Sequence, residues 1–288
     1  MRALGSARPP LSLHASERRP ASRSRVVAAA APALDALRAK SLQLDQFDAA
    51  AVTAAGEGAR ALLGEGVACD RATLEWFARD RRLDVEKTAA KVRAYAQWRQ
   101  AGFTGLTEAD VAREAATGKA VLLPEHDLVS VTARRTSPAL LNAWPPQLGR
   151  PVVLVRVALN KVDERDIAVR RASLCCVCSL AHGACVQETE RLCVFLMDRA
   201  LQEGCETVLT VFDLRGFSTA NADLPFIRFF IKLMFDIYPK RIGQVLLVGA
   251  PLIFQPLWQV VRPLLGKYAS IVQFVSAKEA DGLGLGLE

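Results

Sequence analysis

A chain of 288 residues with 51% hydrophobic side chains is long enough to bury one large core and a smaller accessory lobe. Its formal charge is +7, but five of those charges sit in residues 1–32, where Arg2, Arg8, Arg18, Arg19, Arg23 and Arg25 face the single acid Glu17. The rest is close to balanced, so basic composition is no argument for a nucleic-acid partner.

The first 32 residues are rich in Arg and Ser and poor in acids, and they run into Val26, Val27 and the alanines 28–31. No apolar run follows a short basic start, which argues against a secretory signal. The composition is that of an organelle transit peptide, and the five serines and small residues favour a chloroplast, with cleavage near residues 27–33. The alternative is an ordinary disordered terminus. Seven cysteines, an odd number with Cys175, Cys176 and Cys178 bunched together, read as reduced thiols rather than a disulfide framework.

Helical periodicity begins near Asp70, which can cap a short helix carrying Leu74 and Phe77. Asp84 can cap the next, where Val85, Ala89, Val92 and Ala96 recur on one face, Tyr95 and Trp98 extend it, and Gly102 ends it. Residues 33–118 are thus expected to form an N-terminal helical region.

After Gly118 the pattern changes. Strands are expected at 128–132, 152–159, 207–214, 244–248 and 270–275, with helices at 164–203, 223–237 and 254–265. The order from 207 onward is βαβαβ, and connections of that length imply parallel strands. Runs such as Val152 to Val155 and Val245 to Val248 are apolar throughout, as in strands covered on both faces. The expected fold class is therefore α/β, a mixed and largely parallel sheet flanked by helices. The domain spans 119–278, and 279–288 is a flexible tail. No stretch approaches the roughly 18 apolar residues of a membrane span: 245–258 is broken by Gly249, Pro251, Gln255 and Pro256.

Signals for catalysis are weak. No Gly-rich phosphate loop follows an expected strand, and there is no Gly-x-Ser-x-Gly elbow. His126 and His182 lack a recognisable nucleophile partner, and Asp213 reads as a cap over the turn at Arg215 and Gly216. Cys175, Cys178, His182 and Cys185 have a suggestive spacing, but on one helix Cys175 and Cys185 stand about 15 Å apart. Zinc needs all its sulfur ligands within about 2.3 Å of the ion. We expect no catalytic residue, no metal and no cofactor.

Several segments together resemble the CRAL-TRIO family of lipid-binding proteins. Trp76-Phe77-Ala78-Arg79-Asp80-Arg81-Arg82-Leu83-Asp84-Val85-Glu86-Lys87, followed by Trp98-Arg99, resembles the family's N-terminal helical signature. Gly149-Arg150-Pro151-Val152 resembles the start of its first lipid-domain strand. Thr210 to Ser218, containing Asp213-Leu214-Arg215-Gly216, resembles a further strand end. Tyr238-Pro239-Lys240-Arg241-Ile242-Gly243, then Gly249-Ala250-Pro251, Phe254, Trp258 and Arg262-Pro263-Leu264-Leu265 complete the series.

The resemblance implies a helical lobe, a sheet floor and a hydrophobic pocket closed by a gate helix, here 254–265. Phe212, Phe217, Phe226, Phe230, Phe254, Leu257, Trp258 and Val261 are the candidate lipid contacts. Phosphatidylinositol-transferring members use an arginine in the N-terminal turn, an acid after Tyr-Pro, and a Thr/Lys pair beyond the gate. Here Arg81 matches the first, Lys240 replaces the acid with a cation, and Tyr268-Ala269-Ser270-Ile271 offers no such pair. Phosphatidylinositol bound in the usual way is therefore not expected. Arg81, Lys240, Arg241 and Arg262 either hold another anionic headgroup, such as that of phosphatidic acid, or face acidic lipid at a membrane surface. The expected function is a monomer that binds one lipid in a gated pocket and transfers or presents it during transient membrane contact. Alternatives are a carrier of a tocopherol, carotenoid or retinoid, and a lipid-sensing regulatory module without transfer.

Overall fold

The computed structural model describes residues 42, 44–64, 66–123, 150–160, 162, 188–202 and 205–282. The leader, His126, the strand expected at 128–132, Gly149, the first part of the helix expected at 164–203, the Cys175 to Cys185 cluster and residues 283–288 lie outside them.

Aspartates begin the helices of the N-terminal region. α1 (Ala49–Ala61) is capped by Asp48, α2 (Arg71–Asp80) by Asp70 and α3 (Val85–Gln100) by Asp84, each carboxylate accepting a backbone N–H of the first turn. Their apolar faces meet in a small core of Ala59, Leu63, Leu74, Phe77, Ala89 and Val92. α4 (Glu108–Ala115) belongs elsewhere, because its Val111 joins the larger core with Phe103 and Ala120.

The larger unit is a five-stranded sheet in the order β1 (Ala120–Leu123), β2 (Val152–Arg156), β3 (Val208–Asp213), β4 (Ile242–Val248), β5 (Val272–Val275). β1 pairs antiparallel with β2, and the other three ladders are parallel. The expected βαβαβ order is present from β3 onward. α6 (Leu224–Lys232) lies between β3 and β4, and α7 (Gln255–Leu265) between β4 and β5. α5 (Glu188–Gln202) precedes β3. All seven residues of β4 are buried, which explains their unbroken apolar character: Leu246 and Val248 belong to one face of the sheet, Val245 and Leu247 to the other.

Four local departures from expectation have physical reasons. β1 was not expected; it is only four residues long and gains its place by pairing with β2. β2 stops at Arg156 and continues as a 3-10 turn, Val157–Leu159. The helix expected through residue 237 changes after Lys232 into a π-turn, Leu233–Ile237, in which Leu233, Met234 and Ile237 are buried. Part of the segment expected as a tail is helical, since Ala277–Gly282 is a further helix, α8. Glu279 accepts bonds from Ser276 at its start, and Ala280 is buried against the far face of the sheet.

The helical lobe is tied to the sheet by buried polar contacts. Trp76 Nε1 donates to Pro239 O at 2.7 Å, and Arg241 lies 3.3 Å over the Trp76 ring. Arg99 on α3 donates to Asp198 Oδ2 of α5 at 2.7 Å, and the Tyr238 hydroxyl donates to Asp198 Oδ1 at 2.5 Å. At the end of β3, Asp213 accepts from the backbone N–H of Arg215 at 3.1 Å and from its guanidinium at 2.8 and 2.9 Å. It is thus a turn cap. Arg215 in turn closes over Gly249, where a Cβ would approach Arg215 Cγ to 2.6 Å at a φ of +61°.

Candidate lipid-binding site

A cavity opens between the sheet and helices α6 and α7, with about 1040 Å³ of space free of protein atoms, part of it open to solvent. β3 contributes Phe212 and β4 contributes Val245 and Leu247. α6 and the π-turn contribute Phe226, Phe230 and Met234, and α7 contributes Leu257, Trp258, Val261 and Leu265. Phe217 and Phe254 close one side, ring edge against ring face at 5.3 Å. Phe212 and Phe230 meet at 5.1 Å in the same edge-on manner, and Trp258 packs on Phe274 at 5.2 Å.

All eight side chains singled out as candidate lipid contacts line this one cavity. The local reason is periodicity. On α7, Leu257, Trp258, Val261 and Leu265 fall three or four residues apart and share a face. On β3, Phe212 and Thr210 point to the side opposite Leu209 and Val211, which belong to the core on the far face. Among the described residues, polar atoms contribute almost nothing to the exposed cavity wall. Cys193 lines it too, and burial pushes its thiol up to about 12, so it presents an uncharged sulfur.

The four cations selected from sequence are placed differently. None of them lines the cavity. Arg81 follows α2 and pairs with Asp80 at 3.1 Å. Lys240 pairs with Asp45 at 2.8 Å. Arg241 is committed internally: besides Trp76 it donates to Glu206 O at 3.1 Å, and burial pulls its pKa down to about 10. Only Arg262, on α7, is fully on the surface. Among the described residues, the cations that border the cavity are Lys119 and Arg156, which sequence reasoning missed. Lys119 is bound to Glu114 at 3.1 Å and Arg156 to Gly118 O at 2.9 Å. The available signal was a cation closing the apolar run of β2.

Comparison with known proteins decides the family. Residues 143–283 match the model of the CRAL/TRIO domain. The chain carries a CRAL/TRIO domain. The matched residues include β2 to β5 and α7, and α1 to α3 precede them. One similar protein is the phosphatidylinositol transfer protein CSR1 of Eremothecium gossypii, 35% identical over 116 residues, which are 38% of this chain and 27% of that protein. Another is the CRAL-TRIO domain-containing protein C3H8.02 of Schizosaccharomyces pombe, 26% identical over 233 residues, 78% of this chain and 45% of that one. The chain therefore spans less than half the length of either relative. Among solved structures, Sfh5 aligns with a TM-score of 0.48 at 10% identity, covering 81% of this chain and 82% of its own.

Proposed function

We propose that the protein is a lipid carrier whose cavity holds the hydrophobic body of one lipid behind α7, and which gives and takes that lipid at a membrane. The observation that carries this reading is the convergence of the eight apolar side chains on a cavity with almost no polar wall, inside a CRAL/TRIO domain. Each methylene moved out of water is worth about 0.8 kcal/mol, so a lipid leaves a bilayer only for surroundings as apolar as the one it left. One similar protein is named a phosphatidylinositol transfer protein, which agrees with a phospholipid ligand. The cation Lys240, already paired with Asp45, speaks against phosphatidylinositol itself. An uncharged hydrophobe of tocopherol, carotenoid or retinoid type is the second reading, favoured by the apolar character of the same wall. No step of this reading requires catalysis.

The outer side of α7 supports membrane contact. Leu252 is 88% exposed, and Ile253, Val260 and Leu264 are also on the surface. Between Asp236 and Glu279 there is no acidic residue, while Lys240, Arg241, Arg262, Lys267 and Lys278 all fall there. An apolar face beside the exposed cations Arg262 and Lys267 suits an anionic bilayer surface. Among the described residues no helix is long and apolar enough to cross a membrane. The Arg- and Ser-rich, acid-poor composition of residues 1–32 supports a chloroplast as the site of action. A fluorescent protein fused behind these residues should accumulate there, and a diffuse distribution would remove that assignment.

Native mass spectrometry of the full chain tests the function: one lipid per protein is expected, and an empty protein that refuses lipid from vesicles sinks it. The mass identifies the ligand and so separates phospholipid from uncharged hydrophobe. Exchange between vesicles separates a carrier from a sensor, which binds without exchange. The paired change Leu252→Asp and Ile253→Asp should lower co-sedimentation with phosphatidic acid vesicles about tenfold, as expected when two apolar contacts are replaced by like charges. Loading from detergent-solubilised lipid should survive, because neither residue lines the cavity.

A further inference from the structure

The segment preceding α1 is strapped across to the sheet. Leu42 donates its backbone N–H to Gly243 O in β4 at 2.8 Å, and its side chain packs on the main core. Asp45 then accepts from Lys240 Nζ at 2.8 Å, joining positions 195 residues apart. Lys240 occupies the turn before β4 at a φ of +61°, a left-handed conformation that is costly for a residue with a Cβ. Its backbone N–H faces the hydroxyl of Tyr268. Tyr268 belongs to the 3-10 turn Gly266–Ile271, which leaves α7 directly and begins at a glycine with a φ of +50°. A chain of contacts therefore runs from Asp45 through Lys240 to the foot of the gate.

The charges around Asp45 come from separate elements. Lys240 holds its carboxyl below the usual range by hydrogen bond and by charge. Arg82, from the turn between α2 and α3, and Lys267, in the turn after α7, add to the effect. Lys240 is 17% exposed, whereas Asp45 is 49% exposed. The acid is therefore the partner that solvent anions can displace. Exposed ion pairs are weak, which is what a releasable contact requires.

We propose that Asp45 is a latch on the gate: it neutralises Lys240 at the hinge of α7, and the phosphates of an anionic bilayer replace it when the protein docks. This rests on the reading of α7 as the gate. In solution the latch holds Gly266–Ile271 against the turn before β4. At an anionic surface many phosphates compete for Lys240, Arg82 and Lys267, and the hinge is released where the lipid is to be exchanged.

Hydrogen exchange of the full chain, followed by mass spectrometry, tests this without a bound lipid. Asp45→Asn should exchange the amides of residues 255–271 about two- to fivefold faster than the wild type, the range expected for an exposed ion pair. α2 and α3 should be unchanged. Over the hinge, residues 266–271, wild-type protein on phosphatidic acid vesicles should approach the rate of the variant, and on phosphatidylcholine vesicles it should not. Wild-type exchange in Asp45→Asn overturns the latch, as does equal exchange on the two kinds of vesicle. Inorganic phosphate that reproduced the effect would overturn the bilayer as the releasing partner. Should Asp45→Asn loosen α1 as well, Lys240→Gln breaks the same pair from the other side: fast exchange limited to 255–271 supports the latch, and wild-type exchange rejects it. A wild-type protein that carries no lipid would instead refute the carrier reading and leave the exchange result intact.

Discussion

Trp258→Asp is expected to empty the cavity. The indole lies on the inner face of α7, against Phe274 and within the wall shared with Leu257 and Val261. Replacement removes apolar contact worth about 1.5–3 kcal/mol and points a carboxylate into space where polar atoms have almost no partners. Lipid affinity should fall at least about tenfold, read as the lipid-bound fraction in native mass spectra after incubation with detergent-solubilised lipid. Val260→Asp is the control on the same helix, since Val260 faces outward, and it should load normally. Equal loading by Trp258→Asp and wild type would reject α7 as part of the pocket wall. A variant that fails to load because it is unfolded would be separated by its circular dichroism, and Trp258→Ala should then show an intermediate loss in a folded protein.

Asp198→Ala should cost the most stability of any single polar change considered for this fold. Asp198 accepts from Arg99 on one oxygen and from the Tyr238 hydroxyl on the other, so its removal strands two donors at once. Tyr238 is buried, and burial holds its hydroxyl protonated well above the ordinary range, so it stays a donor in need of an acceptor. The expected loss is about 2–3 kcal/mol, between the cost of an unsatisfied hydrogen bond and that of a broken buried ion pair. Urea unfolding checks it through a lower midpoint with an unchanged slope. Asp198→Asn keeps the shape and one acceptor and should lose about half as much. A variant as stable as the wild type would mean that the remaining contacts, Trp76 with Pro239 and Arg241 among them, hold the helical lobe to the sheet without Asp198.

Legibility from sequence followed the range of the interactions. Aspartate caps at Asp70 and Asp84 act within three residues, so they could be read directly, and both are present. The parallel order of β3, β4 and β5 followed from connection length and unbroken apolar runs. The eight cavity residues were accessible because the family motifs and the 3.6-residue period of α7 both point at them. The tail was misjudged because Ala280 is a small residue whose burial depends on a sheet face assembled from distant strands.

Charge was the least readable property. Arg241 looks like any surface arginine in a basic motif, and only the approach of Trp76 from the helical lobe shows that it is stacked inside. Lys240 looks like a ligand for anions, and only the strap at Asp45 shows that the protein supplies an anion itself. Lys119 and Arg156 border the cavity through strand pairing that neither segment encodes alone.

By itself, the sequence determined the kind of fold and the apolar stripe of α7, because side-chain period and hydrophobicity are local properties of the chain. Tertiary structure alone decided where each cation points and which carboxylate it meets. Partners separated by 195 residues, as Asp45 and Lys240 are, are chosen by the packing of whole elements. The pattern of phenylalanines in the sequence is therefore one wall of a largely apolar cavity, while Arg81, Lys240, Arg241 and Arg262 lie away from it.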